Sequence, residues 1–373
     1  NEVLDMEISV KNNQDVQVIH QDQKIKLHPV WLRERIQGEQ FIDLDSHQRL
    51  YEPSTINVDL KIKTAKVNNN FLNVEFDDGT ICEYSLEDLY SEIDNRSLKK
   101  GPLPTLQLWD SNLKILPEID FENNMSESKS MIDLLNLFYT YGFVLIRNAP
   151  TTDKYLLEFV NSIGPVRSTN FGVYFDVMSK PNPNDLAYKP IALPPHTDNP
   201  YRMPVPGIQF LHCLKNEVSG GLSTLVDGFS VANYLKNNDL EAFNSLTSTK
   251  VRFQFRDESI VLQNWGELIE LDEDQEFKQV RYSTRVEYVP PMDQDKLNSF
   301  YKARKILADL YSSSQFELKF KLKEGDIMMF DNHRLLHGRT SYDSNEGLRH
   351  LQGCYLDFDS TNGKLRHLKR KFL

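Results

Sequence analysis

His196-Thr197-Asp198-Asn199-Pro200, followed by Pro206-Gly207-Ile208-Gln209-Phe210-Leu211-His212-Cys213, is the stretch on which the reading of this chain turns. In an extended segment His196 and Asp198 point to one face, about 7 Å apart at their Cα atoms, because side chains alternate along a strand. The spacing alone is a weak signal. His20-Gln21-Asp22 shares it, and roughly 0.7 such pairs are expected by chance in a chain of this make-up. Context separates the two. Only His196 precedes a Gly-led apolar strand at 207–214, a Gly220-Gly221 turn and, far downstream, a strand at 327–330 running into Asp331-Asn332-His333-Arg334-Leu335-Leu336-His337-Gly338-Arg339. His20 reads as a surface histidine, His212 as a core strand residue and His333 as a supporting or surface residue.

Taken alone, His337 fits an ordinary core or helix-capping histidine. Arg349 changes that reading, because it lies shortly after His337 at the head of a candidate strand, 350–357. Two imidazoles and one carboxylate on one side of an iron leave positions open for a bidentate keto acid and oxygen. A nearby guanidinium can then clamp the keto acid's distal carboxylate through paired charge-assisted bonds. The pattern therefore points to a non-haem Fe(II) centre at His196, Asp198 and His337, with Arg349 for 2-oxoglutarate.

Around this constellation the chain reads as mainly β. Candidate strands fall at 24–27, 64–67, 71–76 and 80–84, then at 143–146, 207–214, 250–256, 267–271, 278–282, 317–322, 326–330 and 350–357. Helical spacing of apolar residues marks 131–141, stopped by Gly142, and further helices near 240–246 and 296–311. Ser85-Leu86-Glu87-Asp88 reads as a helix start, and 99–104, with Gly101, Pro102 and Pro104, as a linker. Many short strands with few crossover helices favour a sandwich or jelly roll with flanking helices. The expected division is a small N-terminal β-rich domain over residues 1–100 and a catalytic domain over 101–373.

Composition narrows the partners. With 43 basic and 54 acidic residues the net charge is −11, which argues against nucleic acid or an anionic membrane. The basic run 364–371 reads as a solvated tail. Three widely separated cysteines, Cys82, Cys213 and Cys354, encode neither a disulfide framework nor a thiolate zinc site, and a reducing cytoplasm is expected. No apolar run reaches signal or membrane-spanning length, so secretion and membrane spanning are not expected.

Further matches carry a family resemblance: Val30-Trp31-Leu32-Arg33, Tyr141-Gly142-Phe143-Val144, Val226-Asp227-Gly228-Phe229, and Arg349-His350-Leu351-Gln352-Gly353-Cys354-Tyr355. Together with the stretches above, they make the chain resemble the γ-butyrobetaine dioxygenase and trimethyllysine dioxygenase branch of the taurine-dioxygenase-like oxygenases over nearly its whole length. The resemblance implies a double-stranded β-helix core, an N-terminal β domain and a homodimer. It also implies hydroxylation of a small-molecule C–H bond as 2-oxoglutarate and O2 are converted to succinate and carbon dioxide. Arg349 would bind 2-oxoglutarate, with Ser223 assisting and Leu211 lining the pocket.

Two departures follow from the same comparison. Animal relatives carry three zinc-binding cysteines near the start, and the matching positions here are Ile36, Gly38 and Phe41, so no structural zinc is expected. The family holds a trimethylammonium group among aromatic rings, and the matching positions are Phe171, Phe175, Tyr188 and Tyr355, with Asn199 where a further ring could stand. At the anionic end, Asp185 and the Ser283-Thr284-Arg285 stretch replace two asparagines. Arg285 suits a more highly charged head group, such as a phosphonate, and Asp185 has the alternative of facing the ammonium. The expected substrate is γ-butyrobetaine or, as the alternative, 2-trimethylaminoethylphosphonate. A protein-modifying oxygenase and a metal-free binding module on the same fold are the rivals from other classes.

Overall fold

The computed structural model describes residues 6–178 and 189–373. They divide into two compact units, Asn1–Gly101 and Pro102–Leu373. In the first, strands β1 (Met6–Lys11), β2 (Asp15–His20) and β3 (Gln23–Lys26) form one sheet. Helix α1 (Pro29–Arg33) follows, and β4 (Ile62–Asn68), β5 (Phe71–Phe76) and β6 (Ile81–Ser85) form a second sheet before helices α2 (Leu86–Ile93) and α3 (Asn95–Lys100). Strict alternation drives the packing: Leu72, Val74 and Phe76 of β5 turn inward to meet Val16, Val18 and Leu32. Ser85 caps α2 by accepting from the Asp88 amide. The sequence reading left β1 and β2 unassigned, although Met6, Ile8 and Val10 alternate along β1 and Val16 and Val18 along β2.

The second unit contains β7 (Glu118–Asp120), α4 (Lys129–Tyr141), β8 (Phe143–Arg147), α5 (Tyr155–Ile163), β9 (Phe175–Val177), β10 (Leu193–His196), β11 (Ile208–Asn216) and β12 (Ser223–Asp227). It continues through α6 (Gly228–Asn238), α7 (Leu240–Ser248), β13 (Lys250–Arg256), β14 (Val261–Glu267), β15 (Ile269–Leu271), β16 (Phe277–Val280), β17 (Glu287–Tyr288) and α8 (Gln294–Tyr311). It ends with β18 (Leu318–Phe320), β19 (Ile327–Asp331), β20 (Leu335–Arg339), β21 (Arg349–Leu356) and α9 (Phe358–Phe372).

A larger sheet in the order β7-β8-β19-β11-β21-β9 faces a smaller one in the order β10-β20-β12-β18. Phe143 and Leu145 of β8, Cys213 of β11 and Leu351 of β21 meet Leu225, Leu318 and Leu335 of the smaller sheet in one buried cluster. The intervening residues Val144, Ile146, Phe210 and Cys354 point outward and are covered by α4, α5 and α9. Both faces of β8 are therefore buried, which is why Phe143-Val144-Leu145-Ile146 is an unbroken apolar run. Behind the smaller sheet, Val226 and Leu336 pack on α6, α7 and α8, with Phe300, Ala303, Leu307 and Tyr311 forming the inner stripe of α8.

The basic run 364–371 is not a solvated tail. It lies on α9, whose Leu365 and Leu368 are fully buried. Its lysines cover the other sides, where Lys364 pairs with Glu127 at 2.9 Å and Lys369 donates to the Pro102 carbonyl.

A buried ion pair ties the core to the site. Arg334, just before β20, makes a two-pronged contact with Asp227 at the end of β12, at 3.1 and 2.9 Å. The guanidinium also donates to the carbonyls of Thr140 and Gln107, while Asp227 accepts from the Trp109 amide. Every polar atom of the pair is thus matched, which a buried pair needs if its attraction is to offset the cost of desolvation.

Candidate functional site

His196 is the last residue of β10 and lies opposite His337 of β20 in the antiparallel register. That approach needs a glycine beside His337, because a Cβ on Gly338 would stand 2.5 Å from the Leu193 carbonyl oxygen. Asp198 lies beyond the strand end, yet two clamps aim it at the same point. Thr197 bonds Tyr282 through its amide and its hydroxyl, and Asn332 accepts from the Asp198 amide while donating to its carbonyl. The result is that Asp198 Oδ1 lies 3.2 Å from His196 Nε2 and 3.4 Å from His337 Nε2. Among the described residues this is the one cluster of three such donors, all within 4.8 Å of one another.

The electrostatics suit a cation. Burial is the main force on His337 and pushes its imidazole down to about 3, against the pull of Asp198, so its ring is neutral with a lone pair to give. Burial works against charge on Asp198 as well, but the His337 and His196 imidazoles and the Tyr355 hydroxyl outweigh it and hold the carboxyl below its ordinary range.

These three residues line a cavity of about 1050 Å³. Arg349, buried at the head of β21, lines it too; burial, then neighbouring Arg339, lowers it to about 10. One guanidinium nitrogen donates to the Gly221 carbonyl, and its buried Nε has no partner among the described residues. Gly221 at φ 64 permits this closeness, since a Cβ there would stand 2.8 Å from Nε. Ser223 and Leu211 line the same cavity, as do Phe171, Phe175, Asn199, Arg285 and Tyr355. Asp185 and Tyr188 lie outside the described residues.

Among the rings, Phe175 and Tyr355 are 5.5 Å apart at their centroids, tilted by 41°. Phe175 presses on Gly353, where a Cβ would come within 2.4 Å of the ring. Phe171 is half exposed and has the Arg202 guanidinium over its ring at 5.5 Å. Tyr355 donates to Asp198 Oδ2 at 2.7 Å. Its hydroxyl stays protonated, because burial, and then the Asp198 charge, push it well above its ordinary value. Arg285 sits on a 3₁₀ turn, Thr284–Val286, near enough to add to the repulsion that keeps His337 neutral.

Four lining residues have no assigned role in the sequence reading: Tyr201, Gln209, Phe255 and Arg339. Gln209 was quoted only as part of an apolar strand, yet its Oε1 is buried and unpartnered among the described residues. A polar residue in a mostly apolar run that also holds His212 was the available clue. His333 is a supporting residue, bonded through Nε2 to the Val205 carbonyl.

Two imidazoles and a carboxylate converging in a two-sheet sandwich, with a buried arginine in the same cavity, define a non-haem iron, 2-oxoglutarate-dependent oxygenase. Comparison with known proteins gives the particular kind. Residues 104–355 match the model of the taurine catabolism dioxygenase TauD, TfdA family, and the chain belongs to that family. The γ-butyrobetaine dioxygenase of Pseudomonas sp. (strain AK-1) is 30% identical over 347 residues, covering 92% of this chain and 90% of its own length. The mitochondrial trimethyllysine dioxygenase of Mus musculus is 28% identical, covering 91% and 82%. Among solved structures, AAD-2 in complex with Mn(II) and N-oxalylglycine superposes with a TM-score of 0.51 at 14% identity, covering 68% of this chain and 97% of that one. That last likeness is one of fold.

Proposed function

We propose that this dioxygenase hydroxylates an aliphatic C–H bond of a small trimethylammonium zwitterion, with Fe(II) at His196, Asp198 and His337 and 2-oxoglutarate held by Arg349. The observation that carries the reading is the convergence of three donor atoms within 4.8 Å in the cavity that Arg349 also lines. The residues fit the absent groups: His337 is neutral, and the buried Arg349 guanidinium donates to the Gly221 carbonyl while its Nε has no partner among the described residues. Bound iron and 2-oxoglutarate would activate O2, the oxidant for C–H cleavage, and the chain supplies position. Arg349 and Ser223 take the distal carboxylate of 2-oxoglutarate, and Leu211 packs beside it.

For the substrate, the names of the curated relatives and the rings of Phe175 and Tyr355 support a quaternary ammonium, each ring contributing roughly 0.5–2 kcal/mol to a desolvated cation. Phe171 serves as an outer flank, because Arg202 already lies over its ring. By the family resemblance Tyr188 belongs to the ring set and Asp185 to the anionic end or, alternatively, to the ammonium, and Asn199 lines the cavity beside Asp198. Arg285 supports a phosphonate over a carboxylate, since a guanidinium prefers a group that accepts two parallel bonds with more charge. The test is parallel turnover of γ-butyrobetaine and 2-trimethylaminoethylphosphonate by wild type and Arg285→Asn. A selective loss of phosphonate turnover supports this reading; unchanged rates on both compounds reject the role of Arg285.

The same reading makes the two-sheet sandwich a double-stranded β-helix, and assigns catalysis to 101–373 and a structural or dimer-forming role to 1–100. A homodimer rests on the family resemblance alone, and three buried free cysteines favour a reducing cytoplasm. Where zinc-binding relatives hold thiolates, Ile36 is fully buried and Phe41 packs on the same core, so apolar packing does the work of the metal. Metal analysis of iron-depleted protein finds no stoichiometric zinc if this is right.

A further inference from the structure

Asn199 follows the metal carboxylate directly, and its backbone lies at φ 54, in the left-handed region. Asparagine is at home there, since its short polar side chain relieves the strain that most side chains meet. Its amide also does something that a backbone preference does not require. Tyr201 donates its hydroxyl to Asn199 Oδ1 at 2.7 Å, Asn199 Nδ2 donates to the Tyr355 hydroxyl at 3.2 Å, and Tyr355 donates to Asp198 Oδ2 at 2.7 Å. The directions are consistent along the chain: each hydroxyl gives its one proton onward, and the amide accepts at one end and donates at the other.

The end of this relay matters because the two oxygens of Asp198 are not equivalent. Oδ1 is the one that faces both histidines, at 3.2 and 3.4 Å from their Nε2 atoms. Oδ2 is turned away and held by Tyr355. A carboxylate whose second oxygen is occupied by a strong donor has only one oxygen to offer a cation, whereas a released one can swing both onto it. The second mode would take a coordination position that a bidentate keto acid needs.

We infer that the Tyr201–Asn199–Tyr355 relay is a positioning device that keeps Asp198 single-oxygen towards the metal, with Tyr355 its acting member and Asn199 its brace. The inference rests on the metal site proposed above and deepens it. Asn199 thereby has a use other than as a missing wall of an aromatic cage, and Tyr355 serves through its hydroxyl as well as its ring. Partners that orient metal ligands commonly change metal-site properties by 10- to 100-fold when removed.

The test uses Co(II) as a spectroscopic stand-in for Fe(II) in the full chain, without turnover. Wild type should bind one Co(II), and His337→Ala should lose it; if wild type binds none, the metal site and this inference fall together. Tyr355→Phe keeps the ring and removes only the hydroxyl. Its Co(II) form should show weaker, shifted d–d bands from a more crowded metal, and its 2-oxoglutarate dissociation constant should rise about 10-fold. Asn199→Gly keeps the positive φ and removes the amide, and should move the same two readings in the same direction by about 3-fold. Adding it to Tyr355→Phe should then change little, because it acts through that hydroxyl. A wild-type spectrum and 2-oxoglutarate affinity in Tyr355→Phe would overturn the inference while leaving the metal site standing. If Tyr355→Phe does not fold, Asn199→Gly decides: a shift supports the relay and no shift ends it.

Discussion

Burial strips His337 of its proton, and a lone pair on a neutral ring is what a ferrous ion needs. Replacing it by Ala removes one of the three proposed ligands from the cavity wall, where its ring also packs on Phe330. Turnover should be abolished while the thermal midpoint of the metal-free protein stays within a few degrees; retained iron-dependent activity would contradict the assignment. Arg349 gives the complementary prediction. Truncating it to Ala leaves a dianionic cosubstrate without its buried cation, so the 2-oxoglutarate requirement should rise by two orders of magnitude or more in a saturation curve. An unchanged half-saturation would reject the role. The structure brings His196, Asp198 and His337 together and sets Arg349 in the same cavity; the sequence pointed to that grouping through the strands around it, since the spacing alone recurs at His20. The Tyr355 hydroxyl was not legible there, because its contact with Asp198 arises from folding across 157 residues and no local pattern encodes it.

Element by element, the strands read from the sequence, such as β5, β8 and β11, carry apolar runs or alternation, but β1 alternates as strictly and was missed. Helix α9 was misread because its charged residues hide a narrow apolar stripe carried by Leu365 and Leu368. The close approaches of Gly338 to the Leu193 carbonyl and of Gly221 to Arg349, and the clamp of Asn332 on the Asp198 loop, depend on how distant segments meet and were equally invisible. The Arg334–Asp227 pair, at 1% and 0% side-chain exposure, is the most exacting of these long-range contacts. Arg334→Met should destabilise the second unit by about 3–5 kcal/mol, because Asp227 is left buried and unpaired. Chemical denaturation measures this, and a loss below about 1 kcal/mol would show that the pair is not structural.

Over the whole molecule, buried histidines set the response to acid. Burial lowers both His212 and His333 to about 4 from 6.5. Both are neutral in folded and unfolded chains above pH 6.5, so their stability contribution is complete there. Between pH 6.5 and 4 the unfolded chain takes protons that the folded one refuses, and stability falls by roughly 1.4 kcal/mol per pH unit for each histidine. Asp331, raised to about 7 mainly by burial, works in the opposite direction over the same window. The net effect is a decline in the unfolding midpoint as pH drops from 6.5 to 4, with His212→Leu showing a shallower decline; equal slopes for both proteins would remove His212 from this account.

The central claim is that this cavity couples 2-oxoglutarate decarboxylation to hydroxylation of a trimethylammonium compound. Its most direct test is turnover under ¹⁸O2 with γ-butyrobetaine and 2-trimethylaminoethylphosphonate as paired substrates. At least one compound should gain a hydroxyl carrying one ¹⁸O, while one ¹⁸O enters succinate in equal amount. Succinate formed at the same rate with and without either compound, and no label in any trimethylammonium product, would contradict it.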